Sequence, residues 1–195
     1  RFARYYLPEV VKIMSAYAQM EKGGITGENA AQKLVEYYDT VLASPGPSVA
    51  VIEDIDEEPI GSFWGEVQAT THLALGCVGT ITQGGVRDLN EAGPLGFYFF
   101  STEVMVARGN THIEEYGCPV TVCGLEIHPG DLIHADRHGA VIIPNEIADQ
   151  VADACRAMQE AELAVLEPCR QAIRTGERPT AHEVGLWRKQ MSQKR

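Results

Sequence analysis

The chain has 195 residues, 45% hydrophobic and 22% charged, with a formal net charge of −11. That is enough for one domain with a sizeable core and is the composition of an ordinary soluble globular protein. The charge excludes a nucleic-acid partner held by general electrostatics and repels small anions at long range, so an anion site here needs its own local arginine. No apolar run approaches the roughly 18–20 residues of a membrane helix. The start, RFARYYLPEV, lacks the apolar core of a signal peptide and an initial methionine, and reads as the interior of a longer gene product. Five cysteines (77, 118, 123, 155 and 169) show no tight pairing pattern, which predicts free thiols in a reducing cytoplasm.

In chain order, residues 4–21 carry a helical stripe (Val10, Val11, Ile13, Met14, Tyr17) ended by Gly23-Gly24. A second helix is predicted over 28–43, with Ala30, Ala31, Leu34, Val35, Tyr38 and Leu42 on its apolar side. SPGPS is a turn, and VAVIED is a short buried strand running into acidic residues. Residues 61–75 read as a helix. CVGTIT, at 77–82, reads as a second buried strand parallel to the first, since a helix separates the two. Short β segments follow: GFYFF, VMVAR, PVTVCG, LEIHPGDLIHAD and GAVIIP, with HPGD and DRHG as tight turns. Residues 145–173 form one long helix, and a polar tail with a last short helical stretch closes the chain. This order predicts an α/β domain whose sheets are partly covered by helices.

The stretch GGVRDLNE, 84–91, sets Arg87, Asp88 and Glu91 just beyond two glycines at the end of a buried strand. One reading is an ordinary helix N-terminus, with carboxylates suited to the macrodipole and paired to the arginine. The other is a ligand site. Ligands in α/β folds gather at the carboxyl ends of strands, and glycine lets backbone approach closely. An arginine fork holds a carboxylate bidentately, and an aspartate holds a hard divalent cation that keeps most of its waters. Upstream, WGEV places Glu66 twenty residues before Arg87. Gly65, near a helix start, offers unblocked N–H groups to an oxyanion. His134, Asp136 and His138 suggest metal spacing but fall on a turn between strands, where a structural role is the better reading. Cys118 and Cys123 are too loosely spaced for a metal pair. GNTHIEEYG is assigned nothing.

An acidic residue, twenty residues, Arg-Asp, two residues and Glu together resemble the signature of the RraA-like family. PGPSVAVIED, WGEVQATTHLALGCVGTITQGGVRD and CPVTVCGLEIHPGDLIHADRHGAVIIP are similar to three further blocks of that family. The resemblance is clear from about 45 to 175 and implies a swivelling β/β/α domain there. It leaves 1–44 as a helical N-terminal segment (an insertion or the remainder of a longer N-terminus) and 176–195 as a polar tail. Gln83 stands where the family often has aspartate.

Carried over residue by residue, the resemblance implies that Arg87 holds the carboxylate of a pyruvyl unit. Asp88 is the direct ligand of a divalent metal, Mg²⁺ first and Mn²⁺ second, with Glu66 and Glu91 acting through water. The backbone of Gly65, Glu66, Val67 and Gln68 faces the substrate's oxygens. A glutamate of a neighbouring subunit's C-terminal helix completes the site, Glu162 fitting best and Glu160 second. The implied activity is a metal-dependent pyruvate aldolase cleaving a 4-hydroxy-2-oxo diacid, with oxaloacetate decarboxylation beside it. Trimers or dimers of trimers are implied, with neither nucleic acid nor membrane as partner and no organic cofactor. The motifs contain no lysine for a Schiff base. Two alternatives stay open: a non-catalytic regulator or binding protein on the same fold, and the same lyase chemistry on a sugar-derived 2-oxo acid.

Overall fold

The computed structural model describes residues 27–57, 59–109 and 111–194, so the helix expected over 4–21 lies outside the described residues. Two compact units divide the chain between Ile142 and Ile143.

In the first unit, helix α1 spans Gly27–Ala43. It stops where Ser44 precedes Pro45, a position that disfavours helical backbone, and the Ser44 hydroxyl donates back to the Thr40 carbonyl at 2.9 Å. Strand β1 (Ser48–Ile52) follows, then helix α2 (Glu66–Ala74), strand β2 (Cys77–Val86), the single turn α3 (Leu89–Ala92) and strand β3 (Tyr98–Val104). The three strands form one parallel sheet in the order β1-β2-β3. The central strand β2 has no exposed residue, which is why CVGTIT reads as a continuous rather than an alternating apolar run. The register of β2 on β3 shifts between Thr82 and Gly85.

Strands β4 (Val120–Val122) and β5 (Leu125–Ile127) pair antiparallel around Cys123-Gly124. Both turn residues have positive φ, 49° and 82°, as a two-residue hairpin turn requires. Strands β6 (Leu132–Asp136) and β7 (Gly139–Ile143) pair across the DRHG turn. There Asp136 accepts the His138 N–H at 2.7 Å, and the same contact holds its carboxyl below the usual carboxylate range. His134, Asp136 and His138 therefore organise a turn. All five cysteines are free thiols.

Two expectations are corrected. The helix predicted over 61–75 is confined to Glu66–Ala74. Residues 61–65 stay out of the helix because their backbone groups find partners across the fold: Ser62 bridges to Arg108 and Trp64 to Val86. VMVAR is not a strand. β3 ends at Val104, and only Arg108 rejoins, through that bridge.

The core gathers Val41, Trp64, Ala69, Cys77, Val86, Ala92 and Phe97. Trp64 is its centre, 1% exposed, with ring centroids 4.6 Å from His72 and 5.3 Å from Phe97.

The second unit is helical. A 3-10 turn over Asn145–Ile147 leads into α4 (Ala148–Thr175), so the helix expected from 145 starts three residues later. It ends at Gly176, whose φ of 76° supplies the left-handed cap. Helix α5 (Ala181–Gln193) opens on a capping box between Thr180 and Glu183, and it is longer than the short stretch expected there. No helix of the described residues is long and apolar enough to cross a membrane.

Candidate active site

The β2 strand delivers Arg87 and Asp88 at its carboxyl end, where the chain turns sharply: Asp88 adopts left-handed backbone, φ 56° and ψ 42°. An aspartate tolerates this conformation better than most residues. The turn aims the Asp88 carboxylate back at the start of α2, where its Oδ2 accepts the Glu66 N–H at 3.0 Å. It thus caps a helix whose own N-cap residue, Gly65, has no side chain to do so. The other oxygen, Oδ1, accepts from Arg87 Nη1 at 3.1 Å, and both side chains are less than a third exposed.

Gly65 is bare for a reason of space. Its backbone is extended, which any residue can adopt, but a Cβ would lie 2.6 Å from Asp88 Oδ2 and 3.2 Å from Arg87 Cγ and Cζ. The arginine is also tied through its backbone, with its N–H donating to the Trp64 carbonyl at 3.1 Å. Its Nε is buried and without a hydrogen-bond partner.

Arg87, Gly65, Val67 and Gln68 line a cavity of about 80 Å³ together with Ser62 and Arg108. Tyr38 of α1 donates to Gln68 Oε1 at 2.7 Å, which leaves the amide NH₂ as that side chain's free end. Behind this wall, Tyr37 OH and His72 Nε2 are 2.8 Å apart and His72 Nδ1 is 2.7 Å from the Gln68 carbonyl. Burial pulls the His72 pKa down and pushes those of Tyr37 and Tyr38 up. The N-terminal helix therefore helps to build the site wall.

Of the residues singled out from sequence, the structure brings together Arg87, Asp88, Gly65, Glu66, Val67 and Gln68. Glu91 is exposed on the next turn, its N–H donating to the Asp88 carbonyl at 3.2 Å. Glu162 and Glu160 lie on α4, in the second unit. Met158, Glu162 and Leu166 fall four residues apart and share one face of that helix. Met158 and Leu166 are 40% and 39% exposed, so Glu162 sits in an uncovered apolar stripe; Glu160 lies off that row. Gln83, in the place of an aspartate, donates from Nε2 to the Asp54 carbonyl at 3.1 Å.

Sequence reasoning missed Arg108 and the GNTHIEEYG loop. The loop's Thr111 also lines the cavity, and its far end is tied to α1 by Lys33 Nζ on the Glu114 carbonyl and by Tyr116 OH on Glu36. The one available signal was the Arg108-Gly109 pair, since glycine beside an arginine permits close backbone approach.

Among the described residues no three His, Cys, Asp or Glu side chains converge as a metal cage. The donor set fits a different kind of site. Each Asp88 oxygen accepts one hydrogen bond and keeps a further acceptor direction, which suits a hard cation with one protein ligand and several waters.

The chain belongs to the RraA-like family: the family description Aldolase/RraA matches residues 11–142. It is 30% identical over 162 residues to Protein DlpA of Legionella pneumophila, covering 82% of this chain and 24% of that protein. A protein of Halalkalibacterium halodurans, whose name proposes a 4-hydroxy-4-methyl-2-oxoglutarate aldolase, is 27% identical over 69% of this chain and 61% of its own length. The chain thus spans a quarter of one relative and three fifths of the other. Among solved structures, Streptomyces coelicolor RraAS2, described as an unusual member of the RNase ES inhibitor RraA protein family, superposes with a TM-score of 0.54. It is 22% identical and covers 64% of each chain, a likeness of fold. The family's names thus span lyases and regulators on one α/β scaffold.

Proposed function

We propose that this protein is a divalent-cation-dependent carbon–carbon lyase that cleaves a 4-hydroxy-2-oxo diacid to pyruvate and a second oxo acid, and that also decarboxylates oxaloacetate. The observation that carries this reading is Arg87. Arg87 lines a cavity with its guanidinium against bare Gly65 and paired to Asp88. A surface regulator has no use for that arrangement.

Arg87 grips the carboxylate of the pyruvyl half. The backbone of Gly65 to Gln68 and the Gln68 amide face the remaining oxygens. Asp88, with Glu66 and Glu91 acting through water, would hold the cation, Mg²⁺ or Mn²⁺, which supplies positive charge at the 2-oxo oxygen. In the retro-aldol step the C4 hydroxyl gives up its proton and C4 becomes a carbonyl. The C3–C4 bond breaks, its electron pair passes into C2–C3, and charge collects on the 2-oxo oxygen. Protonation at C3 then yields pyruvate. Glu66 and the Glu162 of a second copy are the carboxylates we assign to orient and pass the proton. Such a site works by being more complementary to the developing charge than to the ground state. Decarboxylation of oxaloacetate generates the same enolate, with carbon dioxide in place of the second oxo acid.

The test is pyruvate release from 4-hydroxy-4-methyl-2-oxoglutarate and from oxaloacetate, with Mg²⁺ or with EDTA. Turnover that EDTA removes and Mg²⁺ restores is the expected result. Folded protein that releases no pyruvate above the Mg²⁺-only control would transfer the assignment to a binding role.

A further inference from the structure

The cavity that holds Arg87 holds a second arginine, and the reading above leaves it unused. Arg108 lies beyond the end of β3, yet one short segment places both residues. Ser62 bridges to Arg108, its N–H donating to the Ala107 carbonyl at 2.9 Å and its own carbonyl accepting the Gly109 N–H at 3.0 Å. Two residues on, Trp64 bridges to Val86 and accepts the Arg87 N–H. The two attachment points are thus two residues apart on one segment. The crossing is held by bare chain: a Cβ on Gly61 would lie 2.4 Å from the Gly109 Cα. Arg108 is therefore set against the segment by main-chain contacts.

The two cations differ in their partners. Arg87 is bound to Asp88, whereas Arg108 makes no ion pair among the described residues, in a chain with 27 acidic residues against 16 basic ones. Two arginines among the residues lining one small cavity give it a local positive charge that an anion would offset. At about 80 Å³ the cavity is far below the few hundred Å³ of drug-sized sites, which matches a few-carbon acid.

We propose that Arg108 is the specificity-determining residue of this site: it binds the far carboxylate of a dicarboxylic 2-oxo acid whose near carboxylate is held by Arg87, and so selects diacids over sugar-derived or alkyl monoacids. This rests on the pyruvyl-acid reading above. It assigns the end of the substrate that the reading leaves free, in a cavity that Gln68 and Thr111 also line.

The experiment is a calorimetric titration of the full chain, with Mg²⁺ present, using 2-oxoglutarate and 2-oxopentanoate. These ligands have the same carbon count and differ in the far carboxylate. Hydrogen bonds to a charged group, discounted for the exposure of Arg108, set the expected preference of the unaltered protein for the diacid at roughly tenfold. In Arg108→Gln the ratio should fall to near one, chiefly through lost diacid affinity. Arg108→Lys should keep part of the preference, because a point charge replaces a fork. Arg87→Gln should weaken both ligands.

An unaltered protein that binds both acids equally, or an Arg108→Gln protein that keeps its preference, overturns the assignment of Arg108 and leaves the Arg87 site standing. Failure of both ligands to bind the unaltered protein overturns the pyruvyl-acid reading and this assignment with it.

Discussion

Helix α2 has nine residues and buries Ala69 and His72 completely; helix α4 has 28 and buries one residue, Ala161. The short helix survives because the fold supplies what its length cannot: a cap from Asp88, a tilted ring contact from Trp64 and a hydrogen bond from Tyr37. Helices this short are marginal in isolation. The long helix needs little of this, and its stripe of Met158, Leu163 and Leu166 stays 39–46% exposed. Chemistry gathers where tertiary contacts hold an element in place. Glu162, not Glu160, is the carboxylate within that uncovered apolar stripe, which is why the proposed function uses it.

The sharpest way to break this comparison is at the α2 cap. Asp88→Ala should abolish cation-dependent pyruvate release, and Arg87→Ala should lower kcat/KM by roughly 10²–10³, the scale for one lost donor to a developing oxyanion. Steady-state kinetics on oxaloacetate reads both, and an active Asp88→Ala protein removes Asp88 from the site. Next in size is the core behind α2. Trp64→Ala should cost about 3–5 kcal/mol in urea unfolding, as truncation of a buried aromatic does.

A smaller effect is expected from His72. Burial depresses its pKa in the folded state below 6.5, so its neutral form is favoured there. Above pH 6.5 both states hold it neutral and stability is full. As the pH falls through 6.5 towards the depressed folded value, the unfolded chain gains the proton first and stability declines. His72→Gln should flatten that part of the Tm-against-pH curve, and an unchanged slope would assign it to other groups. The smallest effect lies on α4. Leu166→Ser should move folding stability by no more than about 0.5 kcal/mol, the usual range for an exposed position, while weakening self-association in sedimentation. Unaltered association would remove the support for Glu162 acting in a neighbouring copy.

Much of the site was legible in the chain because its members are close in sequence. Arg87 and Asp88 are adjacent, a continuous apolar strand precedes them, and Gly65 stands beside Glu66. Period and composition also located β1, β2 and their parallel pairing, since a helix between two buried runs leaves few other connections. The start of α2 was misplaced even though Gly65 stands immediately before it. The non-helical form of GSFWG comes from Val86 and Arg108, partners that lie outside any local window.

The sequence by itself determined the α/β class, the identity of the strand that runs into Arg-Asp and the neighbouring placement of an arginine and an aspartate there. Each depends on residue types and on spacings of a few positions. Only the tertiary structure decided that residues 61–65 form a backbone bridge, that Tyr38 of the N-terminal helix holds Gln68, and that Arg108 shares the cavity of Arg87. The physical reason is the satisfaction of backbone and buried polar groups. Where those groups pair within a turn or two of helix, spacing reveals the result, and where they pair across the fold, only the folded chain does.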